Sequence, residues 1–81
     1  MKARVTVRPR PEILDPQGKA ILSTLGSEGY SQVTDLRAGK SFDLVLDVKN
    51  RKEAEEVLDE ICKNLLSNPL IETYEYELEE A

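Results

Sequence analysis

The residues best placed to do chemistry lie in Leu14-Asp15-Pro16-Gln17-Gly18-Lys19-Ala20, where a carboxylate, a carboxamide, a bare backbone position and an ammonium fall within five consecutive residues. What such a set offers is recognition. Asp15 suits the N-cap of a helix, its carboxylate accepting from the free backbone N–H groups of the first turn. Pro16 suits the first helical position, where no hydrogen bond is lost and its φ is already helical. Gly18 fits less well, since a glycine inside a helix costs about 1 kcal/mol against alanine. Something is therefore expected to approach the backbone at Gly18, or a partner shapes the helix start. Lys19 points outward one turn in. The loop is expected to cap the helix and is a candidate contact with another protein.

Other reactive constellations are missing from the chain. It has no histidine, no glycine-rich phosphate loop, no serine in a nucleophile-elbow context and no metal-ligand cluster. Its carboxylates lie on amphipathic segments, where a solvated face accounts for them, and no pair stands out as buried acid and base. Cys62 is the one cysteine. It falls on an apolar helical stripe with no base nearby to activate it, so it is expected to pack as a small hydrophobe. No internal disulfide can form, and a zinc, iron–sulfur or copper site is not expected. An autonomous enzyme is not expected from this residue content.

The elements that must position these residues belong to a chain of 81 residues, one domain over 1–81. Folding a chain this short removes only about 60–65% of its unfolded surface, which leaves a thin stability margin. Without disulfide or metal, oligomerisation is the expected support. The net charge of −5 and the lack of tryptophan argue against a nucleic-acid partner, which demands a basic surface and stacking platforms. No apolar run is long enough to span a membrane, and Met1-Lys2-Ala3-Arg4-Val5 holds no signal core. A single free thiol fits a reducing compartment, so the cytoplasm is expected.

In chain order, Ala3, Val5 and Val7 alternate with Lys2, Arg4, Thr6 and Arg8, a half-buried strand that Pro9 and Pro11 end. A helix is predicted from about Pro16 to Glu28, carrying Ala20, Ile21, Leu22 and Leu25, with Gly29 just beyond its C-cap. Gly26 in its last turn suggests close packing or fraying. Val33, Leu36 and Ala38 suggest a weak second strand over 31–38, with a bulge near Thr34 or Asp35. Ala38-Gly39-Lys40-Ser41 then reads as a hairpin turn. Phe42, Leu44, Leu46 and Val48 alternate as a third strand. Asn50 and Glu53 form a capping box before a second helix with Ala54, Val57, Leu58, Ile61, Cys62, Leu65 and Leu66 on one face. Asn68-Pro69 stops it, and a fourth strand holds Ile71, Tyr74, Tyr76 and Leu78 between Glu72, Glu75, Glu77 and Glu79.

The expected fold is therefore α+β, a ferredoxin-like β-α-β-β-α-β domain with a four-stranded antiparallel sheet and two helices on one face. The first strand would lie between the fourth and the third. Lys2, Arg4 and Arg8 would then stand beside Glu75, Glu77 and Glu79 on one side and Asp43 and Asp47 on the other, either as a solvated face or as a dimer surface. Two other functions share this element order. An ACT-type small-molecule-sensing domain is the main alternative, although its ligand-loop glycine pattern is not evident. An acylphosphatase would need an arginine in a phosphate cradle after the first strand. Arg8 or Arg10 could serve, but the neighbouring prolines supply no N–H groups.

Four stretches carry a likeness to a known family: Leu14-Asp15-Pro16-Gln17-Gly18-Lys19-Ala20; Gly29-Tyr30 with Val33; Asp35-Leu36-Arg37-Ala38-Gly39-Lys40; and Cys62 with Leu65-Leu66-Ser67-Asn68-Pro69-Leu70-Ile71-Glu72-Thr73-Tyr74. Over nearly its whole length the chain resembles the PurS family, the small subunits of bacterial and archaeal phosphoribosylformylglycinamidine synthase. The resemblance implies a PurS-like fold and a place in the fourth step of de novo purine synthesis. There, formylglycinamide ribonucleotide, glutamine and ATP become formylglycinamidine ribonucleotide, glutamate, ADP and phosphate. It implies a ligase subunit without catalytic residues or cofactor of its own, ATP and magnesium being bound by the synthetase subunit PurL while the glutaminase PurQ releases ammonia. It also implies a homo-oligomer, dimer or tetramer, that joins those two subunits and helps ammonia pass. Asp15, Gln17, Gly18, Lys19, Arg37, Gly39, Lys40 and Asn68 fall at loops and element ends, where binding surfaces usually lie, and are the candidate partner contacts.

Overall fold

A computed structural model describes residues 1–79. Its strands are β1 (Lys2–Pro9), β2 (Lys40–Val45) and β3 (Glu72–Glu79), and its helices are α1 (Pro16–Ser27) and α2 (Arg51–Ile61). A π-helical turn, Cys62–Leu66, continues α2. β1 is the centre of an antiparallel sheet in the order β2-β1-β3. In its register Arg4 lies opposite both Asp43 and Glu77, and Thr6 opposite both Ser41 and Glu75. The central place expected for the first strand is therefore correct.

The expected four-stranded ferredoxin-like sheet is not. Among the described residues the sheet has three strands, because residues 31–38 form turns and irregular chain. Their backbone groups go elsewhere. The Leu36 N–H donates to Asp35 Oδ1 (2.9 Å), the Ala38 N–H to Asp15 Oδ2 (2.7 Å) and the Val33 N–H to Tyr30 O (3.1 Å). Side-chain acceptors of this kind compete directly with a sheet ladder. Val33 and the residues around it are exposed, so the segment has no buried face to hold a strand register. The expected hairpin at 38–41 is absent for the same reason, and β2 becomes an edge strand.

The core sits on one face of the sheet. Ala3, Val5 and Val7 of β1 are buried against Leu58 and Cys62, and Ala54 is buried on the same helix. Each fully buried aliphatic side chain contributes about 1.5–3 kcal/mol. The Asn50 half of the expected capping box forms, the Glu53 N–H donating to Asn50 Oδ1 (2.9 Å), while the Glu53 carboxylate reaches one residue further back and accepts from the Lys49 N–H (3.0 Å). After Ile61 the helix widens, and Cys62 O accepts from both the Ser67 N–H (3.0 Å) and the Ser67 hydroxyl (2.7 Å).

The second correction concerns α1. Two helices were expected to share one face, yet no side chain of α1 belongs to the core or to the half-buried residues packed against it. Gly18 is its one buried residue. The molecule is drawn out to 50 × 28 × 14 Å, with a radius of gyration of 16.1 Å, where a compact chain of this length would have about 12 Å. The far end of α1 closes on itself. Gly29 has φ +92, which lets the Tyr30 N–H reach Leu25 O (2.8 Å) and the Gly29 N–H reach Gly26 O (3.2 Å), a Schellman closure. A Cβ added at Gly26 would meet nothing within 4 Å, so close packing within the chain does not explain it.

The uncovered face of the sheet carries the charge pattern expected for it in part. Arg4 pairs with Asp43 (2.9 Å) and Arg8 with Glu75. All four side chains are well exposed, so these pairs add little to stability.

Candidate partner-binding site

The polar groups at one end of the sheet form a continuous network. It starts from a shortage of donors. Pro9 and Pro11 have no N–H, so the stretch leaving β1 has more carbonyls than local donors, the Ile13 N–H reaching Arg10 O (2.9 Å). Arg37 answers that shortage: its Nη2 donates to Arg10 O (2.8 Å) and to Ile13 O (3.0 Å). Arg10 in turn reaches the turn before β3, its Nη2 and Nε donating to Pro69 O (2.6 and 3.1 Å) and its N–H to Ile71 O (2.8 Å). Three stretches far apart in sequence are tied together in this way.

Asp15 closes the network on the helix side. Its Oδ1 accepts from the Gly18 N–H (3.0 Å), the expected cap, and its Oδ2 accepts from the Ala38 N–H (2.7 Å). Asp15 is the one buried charged residue among those described. The Ala38 N–H, then the Gly18 N–H, hold its carboxyl below the usual aspartate range against the opposing effect of burial, and Arg37 adds to the lowering. Gly18 now has a physical account. A Cβ there would lie 2.2 Å from Asp15 Oδ2 and 2.9 Å from Leu36 O. The close approach expected at this glycine comes from within the chain.

The candidates divide by what they do in this arrangement. Asp15, Lys19 and Arg37 line a cleft of about 360 Å³ with Leu14, Leu22 and Leu36. Lys19 is exposed on its helix side, and Gln17, also exposed, does not line it. Arg37 spends its guanidinium on carbonyls. Gly39 sits where a Cβ would meet Val7 O at 2.6 Å, so it allows β2 to start against β1. Lys40 pairs with Glu72 (3.7 Å). Asn68 is occupied by its own turn: its Oδ1 accepts from the Leu70 N–H (3.1 Å), and its N–H donates to Glu72 Oε1 (2.7 Å). Arg10 and Glu72 are members that sequence reasoning did not single out as contacts. The signal for Arg10 was its place between two prolines, where it both supplies a carbonyl and carries the donors for another.

Cys62 is fully buried in the core. Burial, with Asp59 nearby, raises its thiol pKa, as expected of a packing residue. No helix among the described residues is long and apolar enough to cross a membrane.

A model of the PurS family, described as phosphoribosylformylglycinamidine (FGAM) synthase, matches residues 2–80. The chain belongs to the PurS family of FGAM synthase subunits. The PurS subunit of Bacillus subtilis is 39% identical to it over 79 residues, 98% of this chain and 93% of that one. A solved structure of B. subtilis PurS superposes with a TM-score of 0.89 and covers 98% of each chain. A chain in the structure of PurLQS from Thermotoga maritima is 36% identical, with a TM-score of 0.86, covering 94% of this chain and 93% of that one. The three-stranded PurS-like architecture is thus shared with solved PurS structures. Of the stretches that carry the family likeness in this PurS chain, Leu14–Ala20, 35–40 and 67–74 contribute to the network, together with Arg10, while Gly29 and Tyr30 close the far end of α1.

Proposed function

We propose that this PurS-family chain is a non-catalytic subunit that joins the glutaminase and synthetase subunits of FGAM synthase and supports passage of ammonia between them. The observation that carries this is the match, over nearly the whole chain, to a subunit found in PurLQS of T. maritima. The physical need is plain. Ammonia released in one active site must reach the other before it is lost as ammonium to bulk water, so the two sites must be held in register. In this account ATP and magnesium are bound by the synthetase subunit, and the chain works in the cytoplasm.

The unpartnered faces of the chain support an assembling role. α1 is only 12 residues long, and helices of about 12–15 residues are marginal in water without packing. Its apolar stripe lies outside the core of its own chain. A homo-oligomer, dimer or tetramer, in which a second copy covers α1 is the form proposed here. Lys19, exposed in the cleft, and Gln17, exposed in the same first turn of α1, are the proposed contacts with the larger subunits, while Asp15, Gly18, Arg37, Gly39, Lys40 and Asn68 shape the surface that presents them.

The test is co-migration of the chain with purified synthetase and glutaminase on size exclusion. The expected result is a ternary complex that Gln17→Ala with Lys19→Ala weakens while leaving the fold intact. A wild-type chain that elutes alone under all nucleotide and glutamine conditions would contradict the proposal.

A further inference from the structure

We infer that the Asp15 carboxylate is a two-sided latch that sets the direction of α1 relative to the sheet, which makes Asp15 a positioning residue for assembly of the synthase; the assembly part rests on the subunit role proposed above. Helix α1 lends nothing to the core, so core packing cannot orient it. Its C-terminal end hydrogen-bonds to itself through Gly29 and Tyr30. What holds α1 therefore lies towards its N-terminal end, where Leu22 shares the cleft with Leu36 and the first turn is tethered. There one carboxylate holds two separate pieces of chain: Oδ1 takes the Gly18 N–H in the first turn of α1, and Oδ2 takes the Ala38 N–H two residues before β2. The fit is tight, since at Gly18 any side chain would collide with Asp15 Oδ2 and Leu36 O. Arg37, next to Ala38 in sequence, clamps the carbonyls of Arg10 and Ile13. The loop before α1 and the loop after it are thus fixed to each other at one place.

A cap and a latch have different requirements. Serine, asparagine and aspartate all cap helices well. Serine has one short side-chain oxygen and cannot span from Gly18 to Ala38. Asparagine has one acceptor and one donor, so its NH₂ would face one of the two N–H groups. Asp15→Ser therefore keeps the helix start and removes the tether, whereas Asp15→Asn gives up one of the two bonds.

The experiment has two arms on the full chain. Amide hydrogen exchange is measured by NMR for wild type, Asp15→Ser and Asp15→Asn. Each is also titrated into purified synthetase and glutaminase while glutamine-dependent synthesis is followed. In Asp15→Ser the Ala38 amide is expected to lose protection by roughly tenfold or more while the amides inside α1 keep theirs, and in Asp15→Asn one of the Gly18 and Ala38 amides loses its acceptor. The concentration giving half-maximal activity rises by about tenfold, with the rate recovered at saturating chain, because orientation and not chemistry has been disturbed. An Ala38 amide in Asp15→Ser as protected as in wild type overturns the latch. An unprotected Ala38 with a wild-type titration overturns the positioning role. If the wild-type chain itself had no effect on glutamine-dependent synthesis, the subunit role would fall, and the exchange arm would still decide the latch.

Discussion

Replacing glycine by alanine at two positions of the same helix is expected to move stability in opposite directions. At Gly26 an added Cβ meets nothing within 4 Å, and Gly26 carries no positive φ. Alanine there gains about 0.4–1 kcal/mol by restricting the unfolded chain. At Gly18 the same helical preference applies, but the Cβ would sit 2.9 Å from Leu36 O and closer still to the Asp15 carboxylate. Leu36 O is backbone, and the two residues after it are held by the Arg37 guanidinium and by Asp15, so it cannot simply turn away. Overpacking of this kind costs about 1–3 kcal/mol, and each hydrogen bond pulled out of line costs about 1 kcal/mol more. Set against a gain of about 1 kcal/mol from helix propensity, the balance for Gly18→Ala is a loss of about 1–3 kcal/mol. For a domain of this size 1 kcal/mol corresponds to roughly 4–8 °C in Tm. Thermal melts followed by far-UV circular dichroism, at one fixed chain concentration because oligomers melt by mass action, should show Gly26→Ala above wild type and Gly18→Ala clearly below it. A Gly18→Ala chain that melts at or above wild type would refute the close approach and the account of α1 built on it.

Three further predictions follow from the same contacts. Leu58 is fully buried at the centre of the core, so Leu58→Ala should cost about 2–5 kcal/mol in urea denaturation. The lowered pKa of Asp15 means that the fold favours the charged carboxylate. Its stabilising effect is complete above the ordinary aspartate range and is lost as pH falls through the lowered folded value. The Tm difference between wild type and Asp15→Asn should therefore stay constant from neutral pH down to about pH 5 and narrow below that. Cys62 should react with a thiol reagent at least about tenfold more slowly in the native chain than in denaturant, since burial both shields it and disfavours its thiolate.

Where the sequence alone was legible, local chemistry decided the outcome. The alternation of Ala3, Val5 and Val7 defines the central strand because a side-chain period of two leaves only one register with its apolar face buried. Asn50, Glu53 and Gly29 mark helix ends because their roles depend on residues within five positions. The supposed strand at 31–38 failed for a reason no local pattern carries: the acceptor for Ala38 is the side chain of Asp15, 23 residues away. The place of α1 was hidden too. An amphipathic stripe looks the same whether it covers its own sheet or another chain. At the site, the stretches that mattered were visible in the residue types, but the division of labour was not. Arg37 and Asn68 carry the polar groups expected of contacts, yet the structure commits them to carbonyls and to a local turn.

The most direct test of the central claim is the rate of formylglycinamidine ribonucleotide synthesis by purified synthetase and glutaminase, with and without this chain, driven by glutamine and separately by ammonia. A bridging subunit predicts that glutamine-dependent synthesis requires the chain while ammonia-dependent synthesis by the synthetase does not. Equal glutamine-dependent rates with and without the chain would contradict it.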